Sequence, residues 1–367
     1  MLGAGAVALG TIEGTAELTA SLLKIGSGIW ADRISRRKPL VTAGYITSGF
    51  LRPLIGLTTA WHVVLILRIG DRIGKGIRTS PRDAMIADEA DEASRGIAYG
   101  FQRTLDHLGA VAGPLAAATL LALMPSFPQE KALRFVFLLA SIPAIVVVII
   151  LTIFVKEKSV YRGSQTKLEL IKNWRHLGSG FHRMLLALLI FTLGNSTDAF
   201  LLLKLSGAGI KPELVALLWS FHHIMKAGTS TLGGWLSDLV GRRQMQIAGW
   251  FYYALIYFAF AFLESPLWLV IIFILYGVYY GLTEPTERAW VADLAPKKLR
   301  GEAFGWYHGT IGVTTLPASV LFGALWTMFN PKVAFLTGAL LAFIASLILF
   351  TVPLHRNADH DSQMTSE

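Results

Sequence analysis

The chain has 367 residues, of which 53% are hydrophobic and only 16% charged, and its mean hydropathy is +0.53. Soluble domains carry about 25% charged residues, so lipid is the solvent that suits this composition. With no cysteine, disulfides and thiolate metal sites are excluded, and the formal charge of +9 suggests nucleic acid only until the charges are located.

About 20 apolar residues cross a bilayer as a helix, with every backbone group bonded internally. On that measure spans are predicted over 4–30, 39–58, 61–87, 95–124, 132–155, 183–206, 212–237, 244–263, 266–291, 301–328 and 333–354. The fold class is therefore all-α integral membrane, with eleven spans. Met1 runs directly into apolar sequence without a basic n-region, so no cleavable signal is expected. One long polar break, 156–182, carries Lys156, Lys158, Arg162, Lys167, Lys172 and Arg175. It divides the chain into a bundle over 1–155, a linker over 156–182, a bundle over 183–355 and a tail over 356–367.

The basic loops alternate. One side holds Arg33, Arg36, Arg37, Lys38, Arg95, the linker bases, Arg183, Arg242, Arg243, Lys297, Lys298, Arg300 and Arg356; the other holds Lys131, Arg134, Lys211 and Lys332. This positive-inside pattern places the linker and the C-terminus in the cytoplasm, so the net charge reflects topology and no nucleic acid is expected. A cell membrane is the expected location, the inner one in a bacterium.

The halves repeat. Gly28-x3-Asp32-x3-Arg36-Arg37 recurs as Gly234-x3-Asp238-x3-Arg242-Arg243, an offset of 206 that aligns Arg36 with Arg242. Ala87-Asp88 recurs as Ala292-Asp293 and Arg95-Gly96 as Arg300-Gly301, both at 205, while Trp61 and Trp268 are 207 apart. Parallel repeats about an axis along the membrane normal are a signature of transporters. The repeat also exposes a deficit: 51 residues and two spans separate Arg183 from Gly234, but 27 residues separate Met1 from Gly28. The difference is one span, and the expectation is that the first helix of a 6 + 6 plan precedes those read here.

Gly28 to Arg37, with Asp32 and Arg33 inside it, resembles the signature loop between helices 2 and 3 of the major facilitator superfamily; Ser35 stands where that loop has glycine, and Gly241 keeps the glycine in the second copy. Arg68-x2-Asp71-Arg72-x-Gly74 resembles the helix-4 motif of its proton-coupled members. Gly100-x8-Gly109-x3-Gly113-Pro114 resembles the helix-5 motif of its drug and metabolite antiporters. The resemblance spans nearly the whole chain. It implies two pseudo-symmetric six-helix bundles about a central cavity, with the present spans as helices 2–12. It further implies that Asp32 meets the helix starting near Gly301 and Asp238 the one starting near Gly96, as gates of the cytoplasmic side. The bland alternative for these loops is a topology signal alone. The three glycines are expected to allow close helix approach and Pro114 to bend its helix.

Charges at membrane depth are costly unless they face a cavity and find partners. Glu13, Glu17 and Lys24 fall within about 40° of each other on the first span at 100° per residue. Arg68, Asp71, Arg72, Lys75, Arg78, Arg82 and Asp83 occupy about 140° of the third. Arg103, Asp106 and His107 follow at i, i+3, i+4 on the fourth. Arg78, Arg82, Asp83 and Arg95 lie nearer the loops and read as structural ion pairs. The others, with Asp198 in the second half, are expected to form a substrate or proton pathway. Lys204, Lys226, Glu284, Glu287 and Arg288 make a sparser second set, and His222, His223 and His308 read as satisfied interhelical histidines before proton carriers.

No enzyme signal survives inspection. Gly70 to Lys75 is one residue short of a phosphate loop, His222-His223 lacks zinc spacing, and no nucleophile elbow occurs. The expectation is a monomeric secondary transporter of a small organic solute, without cofactor or metal, coupled to protons and exporting by antiport. Import of an organic anion by symport is the alternative among transporters; a transport-like membrane sensor or a membrane-embedded enzyme would be a different class. The excess of Arg and Lys in the first half points to an anionic or zwitterionic substrate.

Overall fold

A computed structural model describes residues 6–157, 174–195 and 197–353, without the side chains of 6–18, 212, 213 and 216. The side chains of Glu13 and Glu17 are not described, and the linker bases Lys158, Arg162, Lys167 and Lys172 and the tail lie outside the described residues.

The first half comprises α1 (Ala6–Ala31), α2 (Lys38–Leu54), α3 (Trp61–Glu89), α4 (Arg95–Ala122), α5 (Gln129–Leu139) and α6 (Ser141–Ile153). The second comprises α7 (Gly178–Gly194), α8 (Ala199–Gly207), α9 (Pro212–Val240), α10 (Arg242–Phe262), α11 (Pro266–Leu294), α12 (Arg300–Met328) and α13 (Pro331–Leu349). Several starts are set by proline in the first turn, where its missing N–H costs nothing: Pro39, Pro212, Pro266 and Pro331. At the last, the Asn330 side chain caps the helix by accepting from the Val333 amide at 2.9 Å.

Eight helical stretches of the described residues are long and apolar enough to cross a membrane. At 26, 29 and 29 residues, α1, α3 and α9 also exceed the roughly 20 residues a bilayer demands. The density of charge on α3 is what lowers its hydropathy.

Two predicted spans are not single helices. The span over 132–155 breaks at Ala140, because Pro143 cannot bond back and its ring crowds the carbonyl four residues earlier. The span over 183–206 breaks between Gly194 and Ala199, where Thr197 Oγ1 accepts the Ala199 amide at 3.2 Å. Non-helical backbone inside a span is tolerated where it lines a cavity, and this break does.

Within the halves, α1 and α2 pack on α3, and α2 on α6; α9 and α10 pack on α11, and α7 and α10 on α13. Two long helix pairs join the halves, α1 with α12 and α4 with α9. A buried apolar cluster lies mostly in the second half, with Ala84, Ala87 and Tyr99 joining from the first, and its aromatic faces stack: Phe191 on Trp250 at 4.4 Å, Tyr253 on Tyr257 at 4.2 Å, Phe260 on Phe335 at 5.4 Å.

Candidate functional site

At the basic-loop end the halves are fastened twice. Asp32 stands just past α1, and its carboxylate accepts the Gly301 amide at 2.9 Å and the Glu302 amide at 2.7 Å. These first-turn amides of α12 have no partner within their helix and carry the positive end of its dipole. Arg37 donates to Asp32 at 2.6 Å and to Asp88 at 2.5 Å, and Arg300 reaches Asp88 at 2.9 Å. The second fastening repeats the first. Asp238 accepts the Gly96 and Ile97 amides of α4 at 2.9 and 2.8 Å. Arg242 bridges Asp238 at 2.5 Å and Asp293 at 3.0 Å, and Arg95 reaches Asp293 at 2.5 Å. Gly28 and Gly234 permit the approach: a Cβ on either would lie 2.2 or 2.0 Å from the carbonyl oxygen of Gly301 or Gly96.

The register differs from the one the sequence offset gives. Arg37, not Arg36, is the counterpart of Arg242. Lys38 then corresponds to Arg243: Lys38 donates to the Val155 carbonyl past α6 at 2.7 Å, and Arg243 to the Val352 carbonyl past α13 at 2.8 Å. Arg36 is exposed and Arg33 half-buried, and neither makes an ion pair among the described residues. The cause is the turn. Gly241 alone separates α9 from α10, at φ 101°, a region that favours glycine. The first turn has no residue at positive φ and takes the longer path from Asp32 to Arg37.

Further in, two polar bridges cross between the halves. Asp83 on α3 is fully buried and meets Arg82 at 2.9 Å, His308 Nε2 on α12 at 2.8 Å and Arg288 on α11 at 3.5 Å. Arg103 on α4 bonds Glu284 on α11 and Asp106 at 2.9 Å, with His107 Nε2 3.5 Å from Glu284. Thr104 and Thr231 share a hydroxyl contact at 2.8 Å between α4 and α9. Beyond that level α4 departs from its partner. A Cβ on Gly100 would meet the Ser230 carbonyl at 2.5 Å, but on Gly109 or Gly113 it would meet nothing of the described residues within 4 Å. The close approach expected of all three glycines holds at Gly100 and fails at the other two, because α4 and α9 are packed only toward the basic-loop end. Pro114 lies in the same open stretch.

Asp71 is buried, 2% exposed, and pairs with Arg52 on α2 at 2.8 Å, inside the first half. Arg68, Arg72 and Lys75 are half-buried on the same helix, and Lys24 is buried where α1 meets α12.

A polar cavity of about 370 Å³ has its wall, among the described residues, in the second half. The helix break gives Asn195, Thr197 and Asp198; α7 gives Phe191; α11 gives Tyr279, Tyr280, Glu284, Glu287 and Arg288; α12 gives Tyr307, His308 and Thr315. Asp198 accepts from the hydroxyls of Tyr276 and Tyr280, both at 3.0 Å. Lys226 stands 3.7 Å from Asp198 and 3.4 Å from the Tyr280 ring centroid. Glu287 accepts from Gln246 at 2.8 Å, Trp250 at 3.3 Å and Tyr307 at 2.7 Å. Sequence reasoning passed over Arg52, Gln246, Trp250 and the tyrosines. The signal for the last was available: Tyr276, Tyr280, Glu284 and Glu287 lie within about 80° on one face of α11.

The family model described as Major Facilitator Superfamily matches residues 2–286 and 184–365. An uncharacterized MFS-type transporter of Methanocaldococcus jannaschii is 32% identical over 358 residues, 96% of this chain and 87% of the relative. A Na(+), Li(+), K(+)/H(+) antiporter of Planococcus maritimus is 26% identical over 142 residues, 37% of this chain and 33% of the relative. Among solved structures, the E. coli fucose:proton symporter superposes with a TM-score of 0.78 at 12% identity, covering 95% of this chain and 92% of the symporter.

Proposed function

The chain belongs to the major facilitator superfamily, a multi-pass membrane transporter and not an enzyme, and from that premise we propose that it exports a small organic solute in exchange for protons by alternating access. Residues 1–155 and 183–355 act as the two rocking bundles, and the basic-loop end is the cytoplasmic one. The observation that carries this reading is the pairing of a doubly fastened end with a polar cavity beyond it, which is how a protein closed to one side and open to the other is built. Exchange over symport is supported by the antiporter-like glycines of α4 and by the partial antiporter relative.

The chain lacks cysteine, so single cysteines report cleanly. Thr315→Cys, on the cavity wall, should be labelled by a membrane-impermeant thiol reagent from the side opposite the basic loops. Asp32→Asn with Asp238→Asn should shift labelling toward the basic-loop side. A disulfide between Thr104→Cys and Thr231→Cys should pin labelling to the first side until reductant is added. Labelling that never changes side removes alternating access. Protons moving with the solute instead of against it would favour the symporter.

A further inference from the structure

Six acidic side chains among the described residues lie between the fastened end and the far ends of the spans. Five have a basic neighbour: Asp71 has Arg52, Asp83 has Arg82, Asp106 and Glu284 have Arg103, and Asp198 has Lys226. Glu287 differs. No basic side chain of the described residues stands within 4 Å of it; its three donors, Gln246, Trp250 and Tyr307, are neutral. They fix the carboxylate on the cavity wall without compensating its charge, at 5% exposure. In a low-dielectric interior a carboxylate gains from hydrogen-bond donors and gains further from a cation beside it, and here only the donors are present.

The surrounding charges are engaged elsewhere. On α11 Arg288 turns to Asp83 at 3.5 Å and to the Glu284 carbonyl at 2.9 Å, and Glu284 is held by Arg103 and His107 of α4. From α12, His308 is bonded to Asp83, and α10 presents only Gln246 and Trp250. The same cavity shows what a carboxylate there accepts. Beside Asp198 the Lys226 ammonium stands near the carboxylate and over the face of Tyr280, an arrangement stabilised by charge and ring quadrupole together. Around Glu287 the rings of Phe191, Tyr279, Tyr280 and Tyr307 line the wall.

We propose that Glu287 binds the cationic nitrogen of the transported solute, an organic ammonium ion whose hydrocarbon part packs on those rings, with a proton as the competing occupant. This rests on the transporter reading and names its substrate class. The volume of about 370 Å³ suits a solute of one or two rings, at the small end of ligand pockets, which run from about 300 to 1,000 Å³.

Four probes sharing one benzyl ring and differing in charge test it on the purified full chain: benzylammonium, benzyltrimethylammonium, benzoate and benzyl alcohol. Calorimetry should find both cations bound, and the other two at least about tenfold weaker. Cation affinity should fall by up to about tenfold per pH unit on acidification, as one proton competes for one carboxylate. Glu287→Gln should abolish cation binding and its pH dependence while keeping the parent's thermal transition, and Glu287→Asp should restore part of both. The proposal is overturned if no cation binds, if benzoate binds best, or if the Gln variant binds like the parent. Side-switching at Thr315→Cys needs no ligand, so its loss sinks the transport reading, whereas its persistence with failed cation binding sinks only the Glu287 assignment.

Discussion

The two fastenings reach one geometry by different backbones. In the second, α9 runs past Asp238 to Val240, and Gly241 reverses the chain in one residue, delivering Arg242 onto Asp238 and Asp293. In the first, α1 stops before Asp32, and six residues without positive φ intervene before α2. That longer path carries Arg37, one residue later, onto Asp32 and Asp88. The repeat offset registers the difference: 206 from Gly28 and Asp32, and 205 from Arg37 through Lys38, Asp88 and Arg95. What the two halves hold in common is therefore the charge chain of acid, arginine, acid and arginine, not the loop that supplies it.

The largest effect tests that common chain. Arg37→Gln or Arg242→Gln leaves two carboxylates facing each other in a mostly buried setting, and removing one member of such a group costs about 3–5 kcal/mol. Each variant should open the basic-loop end, seen as Thr315→Cys labelling from that side, and the two should be equivalent within about 1 kcal/mol. A large effect in only one half would mean that the fastenings are not interchangeable.

Loop chemistry is the next lever. Gly241→Ser places a Cβ in a backbone region reserved for glycine, worth about 1–3 kcal/mol, whereas Ser35→Gly in the exposed first turn should change the melting temperature little. Inserting one residue beside the Gly241→Ser substitution, so that Arg242 follows Asp238 at the spacing Arg37 keeps from Asp32, should recover most of the loss. If insertion brings no recovery, turn length is not what sets the register.

These outcomes bear on what a single sequence conveys. That each aspartate ends a helix where it could face the positive start of another was readable from the residues; which helix each one meets came from the resemblance to the major facilitator superfamily, and the structure has both contacts. Which arginine serves was not readable, since the offset counts residues while a turn spends them according to φ. Polar stripes on α3 and α4 drew attention to the first half by charge density, yet Asp71 is absorbed by Arg52, whose long side chain reaches in from the far end of α2. The cavity wall was under-read because α11 is overwhelmingly apolar, so its stripe of tyrosine and glutamate is thin beside that of α3. The break at Ala140 was legible in Pro143; the one before Ala199, which shapes the cavity, had weaker cues in Asn195 and Asp198.

The smallest expected effect separates the two alignments most cleanly. By sequence offset Arg36 matches Arg242, so a protein built on that alignment would lose its first fastening in Arg36→Gln as it loses the second in Arg242→Gln. In the structure Arg36 is exposed at the rim of the turn, with no ion pair among the described residues, and an exposed charge without partners contributes within about 0.5 kcal/mol. Arg36→Gln should therefore leave both the thermal transition and the sidedness of Thr315→Cys labelling as in the parent, while Arg37→Gln in the same assay opens the basic-loop end. One charge is removed in either variant, so a general loss of positive-inside character would affect them alike and cannot produce the contrast. Equal opening in the two would restore the offset of 206 through the loop and with it a symmetric pair of turns. A silent Arg36 beside a disruptive Arg37 fixes the one-residue slip between the two copies of the loop.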